Sequence, residues 1–328
     1  MLRLLNPAAQ EEDRENSLRP RQLEEYIGQE SVVANLRVFL QAAQERAEPL
    51  DHVLISGPPG LGKTTLASLV AQEMGVKLRT TSGPAVERPI DLLVLLNTLQ
   101  EGDVLFIDEI HRLSRTVEEI MYPVMEDLSF DRILSKGHNK GARTHRIPPF
   151  TLIGATTRAG SISSPLRSRF GILLQLEFYK ESELMEIVSR SARILGYSIE
   201  PEGCRQIASR CRGTPRIANR LLRRVRDFAQ VEAADPIDGL VASRALDRMQ
   251  IDRRGLDRLD QKILEVLVAR FRGQPVGLNT LAAAVQEDPA NLEEVYEPYL
   301  LAAGLVQKTH RGRQATRLAF EHLGVEVV

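Results

Sequence analysis

Tryptophan is absent from this chain, and phenylalanine and tyrosine bring the aromatic share to only 5%. Holding single-stranded nucleic acid by stacking its bases takes more rings than that, so a stacking platform is excluded. Cysteine is nearly absent too. Cys204 and Cys211 sit seven apart in a segment that reads as helical. That spacing fits no usual zinc arrangement and offers no disulfide framework, which leaves two small, part-buried side chains. No apolar stretch approaches the ~18 residues of a membrane span; the densest, Leu92 to Leu96, is far shorter. The opening residues, MLRLLNPAAQEEDREN, run into acids before a signal-like apolar core is built, so a cytoplasmic location without membrane association is expected. Net charge is small as well: −1 over 328 residues argues against coating DNA by bulk electrostatics.

Hydrophobic residues at 43% and charged residues at 27% suit a core-forming protein long enough for two or three domains. The basic residues are clustered. Arg210 to Arg226 carries seven arginines and no acid, and Lys308 to Arg317 carries four bases and no acid. From Asp51 to Glu177 apolar strand candidates alternate with amphipathic helices, the pattern of a parallel α/β sheet. HVLIS (His52 to Ser56), DVLFI (Asp103 to Ile107), TLIGA (Thr151 to Ala155) and ILLQLEF (Ile172 to Phe178) are the strands, each continuous enough to be covered on both faces. After Tyr179 the strand signal fades. Glu181–Leu195, Glu202–Arg212, Thr214–Val231 and Asp238–Met249 read as four helices, broken at Gly196, Gly213 and Asp235-Pro236. A last unit begins after Asp252, with helices Asp257–Arg270, Leu278–Val285 and Ala290–Tyr299. The basic stretch HRGRQATRLA follows as a hairpin with Gly312 at its tip, which suits a winged helix. The expected division is therefore residues 1–178, an α/β ATPase domain; 179–251, a small all-α lid; and 252–328, a winged-helix head.

GPPGLGKTT (Gly57 to Thr65) lies between a predicted strand and a predicted helix starting at Lys63. Glycines there let backbone N–H groups wrap phosphates while the helix N-terminus adds its positive end. Lys63 is expected to reach the β- and γ-phosphates of ATP, and the Thr64 hydroxyl to ligate Mg²⁺. In LFIDEIH an apolar strand ends in two acids. Asp108 belongs near the metal and Glu109 where it polarises water, a pairing that favours hydrolysis over storage. Thr156 or Thr157, ending the next strand, orients that water or caps a helix. Of the two arginines in PLRSRFG, Arg167 and Arg169, one is placed to complete a neighbour's site or is simply solvated. Arg216, at a helix start after Gly213-Thr214-Pro215, either reaches the γ-phosphate or joins a solvated basic face.

These parts in this order resemble the AAA+ ring-forming ATPases. The resemblance narrows on LRPRQLEEYIGQ, RTTSGPA, LFIDEIHRLS, PPFTLIGATTRAGS, SPLRSRFGI, GTPRIANRLLRRVRDFA, PVGLNTLAAA, EPYLLAAGLVQKT and RGRQAT, which look like the RuvB family, from Leu18 to Gly324. It implies an ATP-driven motor for Holliday junction branch migration in DNA recombination and repair, working as a homo-hexameric ring. The implied partners are double-stranded DNA, a RuvA-type junction-binding protein and a RuvC-type resolvase. It further implies that Leu18, Arg19, Tyr26 and Ile27 enclose the adenine and that Gly60, Gly62, Lys63, Thr64 and Thr65 hold the phosphates. Arg169 becomes the arginine finger in preference to Arg167. Glu126, Asp127, Leu128, Tyr179 and Arg216 become nucleotide contacts, although the family usually carries an aromatic at Leu128. Lys308, Arg311 and Arg313 match the hairpin that touches DNA phosphates, with lysine replacing the usual arginine at Lys308. Ser129 to Ile147 corresponds to the hairpin that faces the junction-binding partner, and here it departs most, being more basic.

Two rivals share parts of this pattern. A clamp-loader-type subunit has the same loop, acids and arginine but should not end in a basic winged-helix hairpin. A transcription regulator would read bases with the helix Ala290–Tyr299, yet that helix carries Glu293, Glu294 and Glu297. Acids read DNA poorly, so backbone contact through the hairpin is the better expectation.

Overall fold

A computed structural model describes residues 17–133 and 142–326. Two compact units divide the chain, residues 1–177 and 178–328.

The first unit is built on a five-stranded sheet in the order β2-β3-β6-β1-β7. Its strands are β1 (Val53–Ser56), β2 (Leu78–Ser82), β3 (Val104–Asp108), β6 (Thr151–Thr156) and β7 (Ile172–Gln175), all parallel. The registers set Ser56 opposite Thr156 and Ser82 opposite Asp108. The ends of β1, β3 and β6 therefore open on one edge, where parallel sheets place their ligands. One face of the sheet offers Leu54, Leu105, Ile107 and Leu152. Against it pack Val117, Met121 and Val124 of helix Arg115–Glu126 and Leu92 and Leu96 of helix Pro89–Leu96. His52, just before β1, is buried among apolar groups, and that burial lowers its pKa. Its Nδ1 accepts the Leu152 N–H at 2.9 Å, so Nε2 carries the proton and donates to the Met125 carbonyl at 3.2 Å. The ring is a neutral strut.

Helix Lys63–Glu73 starts where the sequence places it. β2 was not legible: LRTTS lacks an apolar run and becomes a strand by pairing with β3 at the sheet edge. β4 (Ser129–Ile133) and β5 (Ala142–Arg146) form an antiparallel arm rooted by buried Phe130 and Ile147. This arm falls in the segment Ser129 to Ile147 expected to face the partner, of which residues 134–141 lie outside the described residues.

The second unit begins with four helices, Glu181–Ile194, Pro201–Ala208, Pro215–Val231 and Gly239–Arg248, close to expectation. Cys204 and Cys211 are buried and unbridged, and burial pushes the Cys211 thiol up to about 12. A thiol so protonated is inert packing. Helix Arg258–Glu265 then runs into a π-helical turn, Val266–Arg270, and is followed by helix Leu278–Val285. The expected single helix after Ala290 is instead a short α turn (Pro289–Asn291), a π turn (Leu292–Tyr296) and helix Glu297–Ala302. Strands β8 (Val306–Thr309) and β9 (Gly312–Ala315) form the wing, and helix Arg317–Leu323 closes the fold. Gly312 is not at the tip, which is His310-Arg311. It stands in β9 at φ +135°, where a Cβ would run into the Val276 carbonyl, because Val276 forms an isolated antiparallel bridge with the neighbouring Arg313.

Candidate functional site

The loop leaving β1 is shaped by its glycines. Gly57, Gly60 and Gly62 have φ of +148°, +82° and +99°, a path closed to side-chain-bearing residues. Gly62 precedes helix Lys63–Glu73 without any side-chain cap, so the first-turn N–H groups remain available to an anion. Lys63 is 7% exposed, and its Nζ donates to the carbonyls of Gly57 at 2.8 Å and Pro58 at 3.0 Å. It is curled onto the loop it would serve. Tyr26 lies across Gly62: its hydroxyl donates to the Leu61 carbonyl at 3.4 Å and would sit 2.9 Å from a Cβ at Gly62. The N-terminal segment is tied down by the Leu23 N–H, which donates to Glu73 at 3.1 Å, and by Leu18, 3% exposed. Arg19 and Ile27, flanking these anchors, are half-buried. Thr64 and Thr65 follow Lys63 in the helix's first turn and are half-buried.

At the neighbouring strand ends the acids and threonines meet. Asp108 accepts the Glu109 N–H at 3.0 Å. Glu109 has φ +48° and turns its carboxylate to Thr157, accepting from the Thr157 hydroxyl at 3.0 Å and its N–H at 3.4 Å. His111 completes this group and was missed as a functional residue. Its Nδ1 is 2.9 Å from the Thr156 hydroxyl and 3.2 Å from Glu109 Oε2, and the ring is 8% exposed. A proton on Nδ1 is shared between those two oxygens. The only sequence signal was its place two residues after Glu109. Glycines, lysine, paired acids and a threonine at a helix N-terminus form a donor set that suits a magnesium-bound nucleoside triphosphate.

Arg169 has a different neighbourhood. Its Nη1 donates to the Pro165 carbonyl at 2.6 Å, its Nη2 pairs with Glu126 at 3.0 Å, and its guanidinium lies 4.5 Å from the Tyr122 ring centroid. None of these groups belongs to the phosphate loop. Arg169 and Glu126 thus share one face, with exposed Asp127 beside them and Leu128, at φ +49°, starting the β4 arm. Arg167 is exposed. In the second unit Tyr179 is 7% exposed and its N–H donates to the Gly213 carbonyl at 2.9 Å, while Arg216 is exposed in the first turn of helix Pro215–Val231.

The wing separates the three expected DNA contacts. Lys308 and Arg313 are directly opposite across the hairpin, a like-charge pair that disfavours pairing unless neutralised. Glu293 and Glu297 neutralise it. Arg313, 8% exposed, donates through Nε to Glu297 at 2.8 Å and through Nη2 to Glu293 at 3.1 Å. Lys308 Nζ stands 3.3 Å from Glu297 but stays half-exposed. Arg311 faces solvent at the tip. Arg313, expected to match a phosphate contact, has its guanidinium folded inward onto acids that the sequence reading set aside as a poor base reader.

Three families match consecutive parts of the chain. The Holliday junction DNA helicase RuvB P-loop domain matches residues 18–176, the RuvB AAA lid domain residues 179–252, and the RuvB C-terminal winged helix domain residues 253–324. Among solved structures, the Thermotoga maritima RuvB Holliday junction branch migration motor is 49% identical with a TM-score of 0.88, over 95% of this chain and 100% of that one. A single-substitution variant of that protein matches at 48% identity and a TM-score of 0.87, over 95% of this chain and 99% of that one. With relatives this similar over nearly their whole length, and a winged helix that the clamp-loader alternative does not account for, the chain belongs to the RuvB family of Holliday junction branch migration motors.

Proposed function

We propose that this chain hydrolyses ATP to drive duplex DNA through a homo-hexameric ring at Holliday junctions, in the cytoplasm, beside a RuvA-type junction-binding protein and a RuvC-type resolvase. Its parts are residues 1–178 for hydrolysis, 179–251 as lid and 252–328 as DNA-binding head. Gly60, Gly62, Lys63, Thr64 and Thr65 hold the phosphates, and Leu18, Arg19, Tyr26 and Ile27 the adenine. Thr64 and Asp108 are the residues that would hold Mg²⁺, which when bound draws charge off the phosphate oxygens. Glu109 takes the proton from the attacking water, while Thr157 and His111 fix the direction of its carboxylate. Arg169 serves the neighbouring subunit's nucleotide, and Glu126, Asp127 and Leu128 lie on that same face. Tyr179 and Arg216 are nucleotide contacts from the second unit. Lys308 and Arg311 take DNA phosphates, and Arg313 reaches DNA only on leaving Glu297.

The observation that carries this reading is the Glu109 carboxylate held 3.0 Å from the Thr157 hydroxyl, one residue after Asp108 and at the same sheet edge as the glycine loop. Glu109→Gln keeps the hydrogen-bonding shape and loses the base. It should bind ATP normally yet turn over about 100-fold or more slowly, and branch migration on a synthetic four-way junction should stop. Turnover within about twofold of the parent removes Glu109 from the mechanism.

A further inference from the structure

Arg212 is an arginine that the hydrolysis mechanism does not use. It lies in the turn between helices Pro201–Ala208 and Pro215–Val231, and its side chain is 7% exposed. Nε donates to the Gly255 carbonyl at 2.8 Å and Nη2 donates to Asp257 at 2.8 Å. Nη2 also pairs with Asp260, and the guanidinium lies 5.8 Å from the Tyr299 ring centroid. Asp257 and Asp260 are the N-cap and N3 residues of helix Arg258–Glu265, joined in a capping box. One lid arginine therefore closes on the backbone, both capping carboxylates and an aromatic face of the winged-helix head. Arg210, two residues earlier, stays within the lid, pairing with Asp247 at 2.6 Å and donating to the Ile251 carbonyl at 3.1 Å.

The other side of this turn carries different business. Residue 213 accepts the Tyr179 N–H at 2.9 Å and packs against Phe178. Thr214 caps the next helix, accepting the Ile217 N–H at 3.4 Å, and so places Arg216 in its first turn. Between Arg212 and Arg216 the chain thus touches the head at one end and presents its nucleotide-contacting arginine at the other. A guanidinium shared by two carboxylates in a dry site adds little net stability over an apolar replacement, because desolvation offsets the attraction. Its planar fork does fix orientation, which a lysine cannot do. The charge of the clasp rests on Asp257, whose carboxyl Arg212 helps hold below its usual range, while desolvation raises that of fully buried Asp260 toward its neutral form.

We propose that Arg212 is a coupling residue that locks the winged-helix head to the turn bearing Arg216, so that lid and head move as one body when the nucleotide contacts shift. This rests on Tyr179 and Arg216 being nucleotide contacts. Arg212 acts through the head's position and touches neither ATP nor DNA.

The test uses the full chain carrying Arg212→Gln, Arg212→Lys or Asp257→Asn; asparagine still caps a helix, so the last variant weakens the clasp while keeping the fold. Measured are ATP turnover without DNA, affinity for a duplex, and base pairs of four-way junction migrated per ATP hydrolysed. Spin labels on cysteines introduced at exposed Val231 in the lid and Glu321 in the head report the distance between the two parts; the native cysteines are buried. Arg212→Gln should leave basal turnover and duplex affinity within about twofold and cut migration per ATP by about tenfold, with a broadened label distance. Arg212→Lys should restore only part of the loss, and Asp257→Asn should show the same uncoupling in milder form. Parental migration per ATP and a narrow distance in Arg212→Gln overturn the proposal. Should that variant fail to fold, full coupling in Asp257→Asn overturns it instead. Arg216→Ala runs in parallel: unchanged ATP turnover there refutes the nucleotide reading on which the relay depends, whereas the label distance tests the clasp separately.

Discussion

Arg313→Ala tests whether the wing's middle arginine braces the head. Its side chain is 10% exposed and its chief partner, Glu297, only 4% exposed, at 2.8 Å. Removing the guanidinium leaves a carboxylate in a dry place with one half-exposed lysine, Lys308, at 3.3 Å. Breaking a buried pair from one side costs about 3–5 kcal/mol. Lys308 offsets part of this, which favours the lower end. Residues 178–328 form one compact unit, and for a unit of that size each kcal/mol lowers the melting temperature by about 2–4 °C, so about 3 kcal/mol corresponds to roughly 6–12 °C. Arg311→Ala, at the exposed tip, should stay within about 0.5 kcal/mol of the parent. The two variants should then part in the opposite sense on DNA: neutralising Arg311 lowers the salt slope of duplex binding by about one unit, alike for unrelated sequences. Calorimetry of the full chain and salt-titrated binding to two duplexes supply both readouts. Glu297→Gln on top of Arg313→Ala should recover part of the lost stability, because it removes the stranded charge. An Arg313→Ala protein melting within about 2 °C of the parent refutes the bracing argument.

Arg169→Ala should bind ATP and fail to hydrolyse it, and mixing it with a Lys63-defective subunit should restore activity; no rescue in confirmed mixed rings counts against action on a neighbour. Gly62→Ala should weaken ATP binding while leaving the sheet folded, since φ is +99° and the new Cβ meets the Tyr26 hydroxyl at 2.9 Å; titration with a fluorescent nucleotide checks it, and parental affinity contradicts it. Burial lifts the Asp260 carboxyl from 3.8 to about 7, so between those values the folded chain keeps a proton that the unfolded chain has released. Stability from this group therefore falls as pH rises across that window, by at most about 1.4 kcal/mol per pH unit, and Asp260→Asn should remove that slope. Equal slopes for parent and variant between pH 5 and 7, about the middle of the titration, would show that Asp260 titrates normally.

Legibility in the sequence followed the range of the interaction. Helix Lys63–Glu73 and strands β1, β3 and β6 were readable to within a residue or so because continuous apolar runs and a fixed glycine spacing encode them locally. β2 was not, since Arg79, Thr80, Thr81 and Ser82 become a strand only through pairing with β3. β7 was read too long: only Ile172–Gln175 pairs with β1, and its apolar signal runs on through Leu176 to Phe178. The short helix Arg317–Leu323 went unread, its first three residues falling in the stretch taken as the basic hairpin.

The site divides in the same way. The phosphate loop and the acid pair Asp108-Glu109 are each contiguous in sequence, so their chemistry showed in two motifs. The restraint on Glu109 did not, because Thr157 is 48 residues away. The pairing of Arg169 with Glu126 spans 43 residues and was equally silent. On the wing, charge alone left the pairing unseen. Counting bases from Lys308 to Arg317 made all of them look available, and the acids at Glu293 and Glu297 served only as an argument against base reading. Both facts have one cause. Cross-strand pairing sets Lys308 against Arg313, and a hairpin with that repulsion folds well only with carboxylates packed against it. An acidic helix and a basic wing are therefore two halves of one neutralised contact, and the charge the pairing does not consume is the tip at Arg311 and the exposed end of Lys308.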